Sequence, residues 1–584
     1  LAVYEADPVI WWAATASGGL LKTTNDGRTF EHQFDREKTV AIGDVAVAQS
    51  DPEIVWVGTG ENNPRNSVSW GNGVYKSTDG GETWQHMGLE ESYQIGAVVI
   101  HPENPDVVYV GALGRLWGEN EERGLFKTTD GGETWERILY VDERTGVVEI
   151  EMMPGQPDTL LVATYERQRD GFDTNDPAKR WGPGSAMWKT TDAGASFRKI
   201  TEGLPSCELG RIEIDYYRAD PNVVFALVES SKIGQEPEDA AYAGLSAQDA
   251  DVGARLTEVV EDGPAAQAGL EVGDIVIRLA GETVQSSDDL TAKIRRHLAG
   301  ATVAVEVSRE RKSVSMDLTF ARHPRSVEDS EPGEEGEGGE AVAEAGEKAE
   351  ASEASESEAE SSEREPRKPF SGSLGGQVAN VHEQQGPDGH EYGGLYNSTD
   401  GGETWTRINS INPRPMYFSH VRVDPSDSSY VYVCGVPLFR SEDGGETFTR
   451  DGHSGDVHVD HHALWINPND GRHVILGNDG GIYVTRDRME TWDHLNHVAI
   501  GQFYHVGVGP RPNYNVYGGL QDNGSHGGPN TNPASRSIRF EDWRSVGGGD
   551  GMYNEVDPSN NRYLYNESQF GPIRRLDLVL SPGN

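Results

Sequence analysis

Short apolar runs alternate with turn residues along most of the chain, and they do so at a repeating interval. Residues 44–88 show the unit: "DVAVAQ", the turn "SDPE", "IVWVGTG", a long polar loop, "GVYKST", the turn "DGGE", then "TWQHMG". Runs of this length, rich in Val, Ile, Tyr and Trp and bounded by Gly, Pro and Asp, predict β-strands joined by tight turns. Each unit reads as four antiparallel strands, and the chain as all-β.

The second turn recurs as a box of pattern Ser/Thr-x-Asp-x-Gly-x-Thr-Trp/Phe. It occupies residues 23–30, 77–84, 128–135, 190–197, 398–405, 441–448 and 485–492, with Asn25 in the acid place of the first copy and Met489 in the glycine place of the last. Most copies start 43 to 62 residues apart, the length of a four-stranded propeller blade, while one gap is 208. The acids Asp79, Asp130, Asp192, Asp400, Asp443 and Asp487 are read as structural. Each can accept backbone N–H bonds across a hairpin turn, a glycine supplies the positive φ, and the aromatic packs between blades. Two further units, beginning at "GQFYHV" and "GGGDGMY", keep the rhythm without a box, which makes about nine.

The boxes resemble the Asp-box (BNR) repeat of sialidases, xyloglucanase-type glycosidases and the sortilin family. The whole chain is similar to bacterial sortilin-like BNR-repeat proteins, often labelled glycosyl hydrolases. That resemblance implies a multi-bladed β-propeller in which the box lies far from the working site. A sortilin-like ten-bladed ring is the favoured arrangement, and two seven-bladed propellers in tandem, as in xyloglucanases, the alternative. In the long gap, "GPAAQAGLEVGDIVIRLAG" and its surroundings look like an α+β PDZ domain of the HtrA-protease type. The organisation expected is a propeller part over residues 1–234, a PDZ domain over 235–325 inserted between a blade's second and third strands, an acidic disordered linker over 326–369, and the second propeller part over 370–584.

Composition narrows the partners. The net charge of −46 argues against nucleic acid. Residues 328–365 hold sixteen acids against Lys348 and Arg364, with almost no apolar content, so they read as an extended tether. No apolar run is long enough for a membrane-spanning helix. Cys207 and Cys434 read as two thiols rather than a bridge, with pairing left open. A start at "LAVYEADP" without Met reads as a fragment, which would hide any signal peptide. The expected location is secreted or periplasmic.

In a four-stranded meander the box turn and the turn between strands one and two share one face. The loops between strands two and three, and those between blades, share the other. The unusual residues fall on the second face. Trp70, Trp117 and Trp181 sit in long, polar two-to-three loops suited to stacking on a sugar or peptide. Arg414, Tyr417, His420, Gln502, Tyr504, His505, Gln521 and Asn523 gather in the later loops as further ligand-binding candidates. His458, Asp460, His461 and His462 have spacing that could take a divalent metal, the one cofactor considered. A hydrogen-bonded plug closing the channel is a second reading of these loops, and acid–base catalysis by Asp460, Asp522 or Asp550 a third. In the PDZ domain, the resemblance implies that the amides of Ala243, Gly244 and Leu245 hold a peptide's terminal carboxylate, with a helix over 288–298 as the far wall.

The function expected is ligand binding or scaffolding: peptide or glycan on the propeller face, and polypeptide C-termini at the PDZ domain. The alternatives are an inverting glycosidase with paired carboxylates and an accessory part of a peptidase. Neither G-x-S-x-G nor H-E-x-x-H occurs.

Overall fold

The computed structural model describes the chain except residues 66–67, 172, 174–176, 178, 324–365, 451–455, 499, 533–536, 560 and 580–584. The expected acidic linker thus lies largely outside the described residues. Eight four-stranded antiparallel meanders and one three-stranded sheet follow in order, interrupted once by the PDZ domain. The chain is mostly β, as its alternating pattern requires.

Each meander is apolar on both faces, so it needs a neighbour on both. Trp12 and Leu20 of the first blade pack on Val45 and Val57 of the second, and Trp56 of the second on Ile95 and Val98 of the third. The third, fourth, fifth and sixth continue in the same way. Tyr432 and Cys434 of the sixth meet Leu464 and Leu476 of the seventh. The seventh returns to the first: Ile475, Ile482 and Val484 form one core cluster with Val3, Trp11 and Leu21. Arg486 pairs with Asp26 across the same seam. The propeller class stands, but the ring closes at seven blades rather than ten. The last two sheets, residues 503–547 and 551–577, pack on each other through Tyr517, Val546, Val556 and Leu564. These two sheets lie outside the closed seven-bladed ring, so the ten-bladed arrangement is not formed.

The boxes make the same bonds in each copy. In the second blade, Ser77 Oγ donates to Asp79 Oδ1 (2.7 Å), Thr83 N to Oδ1 (2.9 Å) and Thr83 Oγ1 to Oδ2 (2.6 Å), while Gly81 N donates to Ser77 Oγ (2.8 Å). Asp130, Asp192, Asp400, Asp443 and Asp487 repeat this set. At the first box Asn25 Oδ1 accepts from Thr29 N in the acid's place. The box tryptophans reach the preceding blade, as when Trp84 Nε1 donates to Gln33 O (2.8 Å) and Trp135 Nε1 to Met87 O (2.7 Å).

The PDZ domain leaves the fifth blade after its second strand, Val224–Ser230, and the chain re-enters at the third, Gly394–Ser398; Val228 and Gly394 are direct partners. The domain has its own core, including Leu256, Val276, Leu290 and Val305. Cys207 and Cys434 are unpaired.

Closure at seven blades is testable through the seam. Leu21 and Ile475 are fully buried in one cluster, so truncating either to Ala should cost about 2–5 kcal/mol. A double-mutant cycle read by denaturant unfolding should show a coupling of about 0.5–3 kcal/mol. Strict additivity would mean that the two blades are not neighbours.

Candidate functional site

The loop between the second and third strands of the second blade crosses from its own blade towards the opposite side of the ring. Glu61 N donates to Ser69 O (3.0 Å) and closes the loop's base. Asn62 Nδ2 reaches Gly43 O (3.2 Å) and Gly96 O (3.4 Å). Buried arginines of later blades then hold its backbone and side chains. Arg167 Nη1 donates to Asn62 O (3.1 Å), Arg169 to Pro64 O, and Arg211 Nη1 to Asn63 Oδ1 (3.4 Å) and Tyr417 O (2.8 Å). Arg65 completes the span, its guanidinium 5.2 Å from the ring centroid of Tyr417 in the sixth blade. Burial, and then the neighbouring Arg123, push Arg167 down to about 9. Arg167 is held by the Asn62 carbonyl and the Gln94 side chain.

Beyond this loop the seventh blade meets the eighth. Asp479 lies in the turn between the seventh blade's strands Val474–Asn478 and Gly481–Thr485. Its Oδ1 accepts from His462 Nε2 (2.8 Å), and its backbone oxygen accepts from Asn523 Nδ2 (2.9 Å). Its carboxyl also shares a hydrogen bond with that of Asp522. Asp522 is in a left-handed conformation (φ 58°), and its amide donates to Asp550 Oδ1 (2.6 Å).

The electrostatics separate these acids. Burial first, then the charges of Asp479 and Asp550 and the bond with Asp479, push Asp522 up to about 8. Burial also raises Asp479, but the bonds from His462 and Asp522 outweigh it and hold that carboxyl below its ordinary value. Glu61 is pushed up to about 7 by burial, against its bond from Ser69 N and the attraction of His462 and Arg65. Asp460 is raised by burial and by Asp479, with Arg414 opposing at 3.9 Å. A proton is thus held between a ring turn and an eighth-blade turn, with Asp479 favoured in its ionised form beside it.

The residues singled out from the sequence divide. Asp460, His462, Tyr417, Arg414, Asp522, Asn523, Asp550 and Tyr504 belong to this region. Gln502 and Gln521 support it through the Gln521 N to Gln502 O bond (3.0 Å). His505 stacks on Tyr553, with centroids 4.1 Å apart. His420 instead bonds Glu213. His461 is buried, which pushes its ring down to about 4, while His458 bonds Val459 O at 3.1 Å. The four proposed metal ligands do not converge, and among the described residues no group of three or more His, Cys, Asp or Glu is arranged to hold a metal. Trp70 is exposed against Tyr93, and Trp181 is covered by Arg180 at 4.4 Å. Trp117 is half-buried. Glu61, Arg65 and Asp479 were missed. Asp479 sits in "GNDGG", which reads as a plain turn; its signal was only that it joins strands two and three, on the face already suspected.

In the PDZ domain, the strand Leu245–Asp249 is at the sheet's edge and, among the described residues, pairs only with Ala254–Val259. Gly244 before it is left-handed (φ 68°). The loop is fixed by Ala265 N donating to Ala243 O (2.8 Å) and Val260 N to Gly244 O (2.9 Å). The helix Ser287–Arg295 stands opposite the strand.

A family model described as PDZ domain matches residues 232–320, and one described as sortilin, neurotensin receptor 3, matches residues 72–250. A probable periplasmic serine endoprotease DegP-like from Pseudomonas putida is 37% identical over 76 residues, 13% of this chain and 16% of that protein. The chain therefore spans about a sixth of that relative's length. Among solved structures, a GH74 xyloglucanase from Xanthomonas campestris is 14% identical, with 99% of this chain and 90% of that one covered at a TM-score of 0.31. YCF48 bound to D1 peptide is 10% identical, with 83% and 91% covered at 0.37. The chain combines a BNR-type propeller, with a sortilin-like stretch, and a PDZ domain similar to those of HtrA-type proteins.

The raised Asp522 sets a pH dependence. The folded chain keeps a proton on Asp522 that the unfolded chain releases near pH 4, so the stabilisation is complete below that pH and fades as pH rises through about 8. Wild-type protein should therefore lose more thermal stability between pH 5 and about 8.5 than Asp522→Asn does. Parallel Tm–pH curves for the two proteins would show that Asp522 is ionised throughout.

Proposed function

We propose that this is an extracytoplasmic ligand-binding protein. Its PDZ domain takes the C-terminus of a polypeptide, and the region between the seven-bladed ring and the eighth blade takes a peptide or glycan segment on the face opposite the Asp boxes. The observation that carries the reading is the edge strand Leu245–Asp249, whose outer side meets no strand among the described residues, leading out of the left-handed Gly244 with a helix opposite. A chain end can add there as another strand while its carboxylate meets the loop amides. The loop 61–65, tied to the fourth, fifth and sixth blades, favours a ligand lying outside the channel rather than threaded through it.

Glycoside hydrolysis is the second reading, and a specific feature favours it: Asp522 holds a proton beside the ionised Asp479. Carboxyls pushed apart in this way suit an acid and a base. Glycosidases, however, space the pair by roughly 5–9.5 Å to admit the sugar and water. Asp522 is bonded directly to Asp479 and, through its amide, to Asp550. That closeness ranks binding first. The inverting pair Asp522–Asp550 keeps its place only within this second reading.

The test is to incubate the intact chain with free-carboxylate peptides and plant-type oligosaccharides, and to read retention and cleavage by mass spectrometry. Retention without new fragments is expected. Fragments that vanish in Asp522→Asn would replace the binding reading by hydrolysis. Gly244→Val, strained at φ 68° and set 3.3 Å from Pro264 Cδ by its Cβ, should lower peptide retention at least about tenfold. Unchanged retention would remove the PDZ domain from the function.

A further inference from the structure

The two ends of the PDZ groove differ. At the loop end, Ala243 and Gly244 have amides that donate to no protein acceptor among the described residues. At the other end, the walls are joined. Asp249, the last residue of the edge strand, accepts through Oδ1 from both Ser287 N and Ser287 Oγ, each at 2.8 Å, and Ser287 is the first residue of the opposing helix.

The local sequence builds this join into the helix start. Asp289 N donates to Ser286 Oγ (3.1 Å), which caps the helix, and Gln285 N donates to Asp289 Oδ2 (2.8 Å) in return. Ser287 N is a remaining orphan donor of the first turn, and its acceptor comes from the facing strand. A carboxylate at a helix N-terminus is favoured by the helix dipole. The bonds from Ser287 hold Asp249 below the usual carboxylate range, so it remains an ionised acceptor. No other side-chain hydrogen bond between these two elements is present among the described residues.

A peptide adding to the edge strand runs antiparallel to it, so that, followed back from its C-terminus at the carboxylate loop, it passes from Leu245 towards Asp249. It passes Leu245, Ser246, Ala247 and Gln248 before reaching the join. We propose that Asp249 and Ser287 form a clasp across the groove, so that the PDZ domain engages about four residues of a polypeptide C-terminus and turns the preceding chain out into solvent. Asp249 is then a specificity-determining residue. It limits recognition to the chain end itself and excludes a longer extended segment, which suits a receptor for many different C-termini. The inference rests on the PDZ domain being a C-terminus receptor.

The experiment uses the intact chain and peptide pools of defined length, from three to ten residues, randomised at every position and carrying a free C-terminus. Wild-type affinity should rise up to four residues and then stay within about twofold. In Asp249→Ala, pools of eight or more should gain about tenfold over the four-residue pool, which corresponds to about 1.4 kcal/mol. Asp249→Asn keeps an acceptor for Ser287 and should restore the plateau, which separates the clasp from simple loss of a helix cap. Ser287→Ala keeps the amide bond and should fall between. Wild-type affinity that climbs steadily to eight residues, or an Asp249→Ala profile identical to wild type, overturns the clasp and leaves the receptor reading intact. If no pool binds and Gly244→Val changes nothing, both fall.

Discussion

Every blade of the seven-bladed ring is a four-stranded sheet with two apolar faces, and the packing of one sheet on the next is the contact on which the rest depends. An open row of such sheets would leave an apolar face bare at each end. Joining Val3, Trp11 and Leu21 to Ile475, Ile482 and Val484 covers both at once. With the ring closed at seven, the eighth and ninth sheets cannot join it. They pack on each other, and the eighth places the Asp522 turn against the Asp479 turn. The candidate region is thus a consequence of where the ring closes.

The two faces of the ring have separate work. On the box face, short turns satisfy their own polar groups with side-chain oxygens and link blade to blade, as Lys22, Lys76, Lys127 and Lys189 do by donating to the next box's backbone oxygens. On the other face, the longer loops leave their strands and find partners several blades away. Arg167 is buried there with carbonyl and amide acceptors, an arrangement that orients a loop without neutralising the charge. Burial and the charges of Asp479 and Asp550 let Asp522 keep its proton, while the bond from His462 favours the ionised form of Asp479.

The PDZ insertion shows how a second domain can be added at little cost to the first. Its entry and exit strands are paired neighbours in the fifth blade, so the chain leaves and returns within one hairpin. The domain keeps its own core. Its return segment packs near it through Arg296 and Glu383, 2.9 Å apart, and through Arg295 over Phe370. Its groove and the region between the ring and the eighth blade are separate places in the chain.

The local pattern of residues by itself determined the strands and the boxes, and a resemblance carried by "GPAAQAGLEVGDIVIRLAG" marked the PDZ insertion. Those features repeat within short stretches: two-residue alternation, a carboxylate two places after a hydroxyl, a glycine where φ must be positive. Asp522, Asp550, Asp460 and His462 were legible because unusual polar groups in strand-end loops stand out. Only the tertiary structure decided that the ring closes at seven, since apolar blade faces look alike in sequence and any blade could cap any other. The same holds for Glu61, Arg65 and Asp479, ordinary loop and turn residues until chain closure brings the second, seventh and eighth blades together. His461 and His462 are adjacent in sequence, yet one is buried and the other bonds Asp479. Long-range packing, which no local spacing encodes, set that difference.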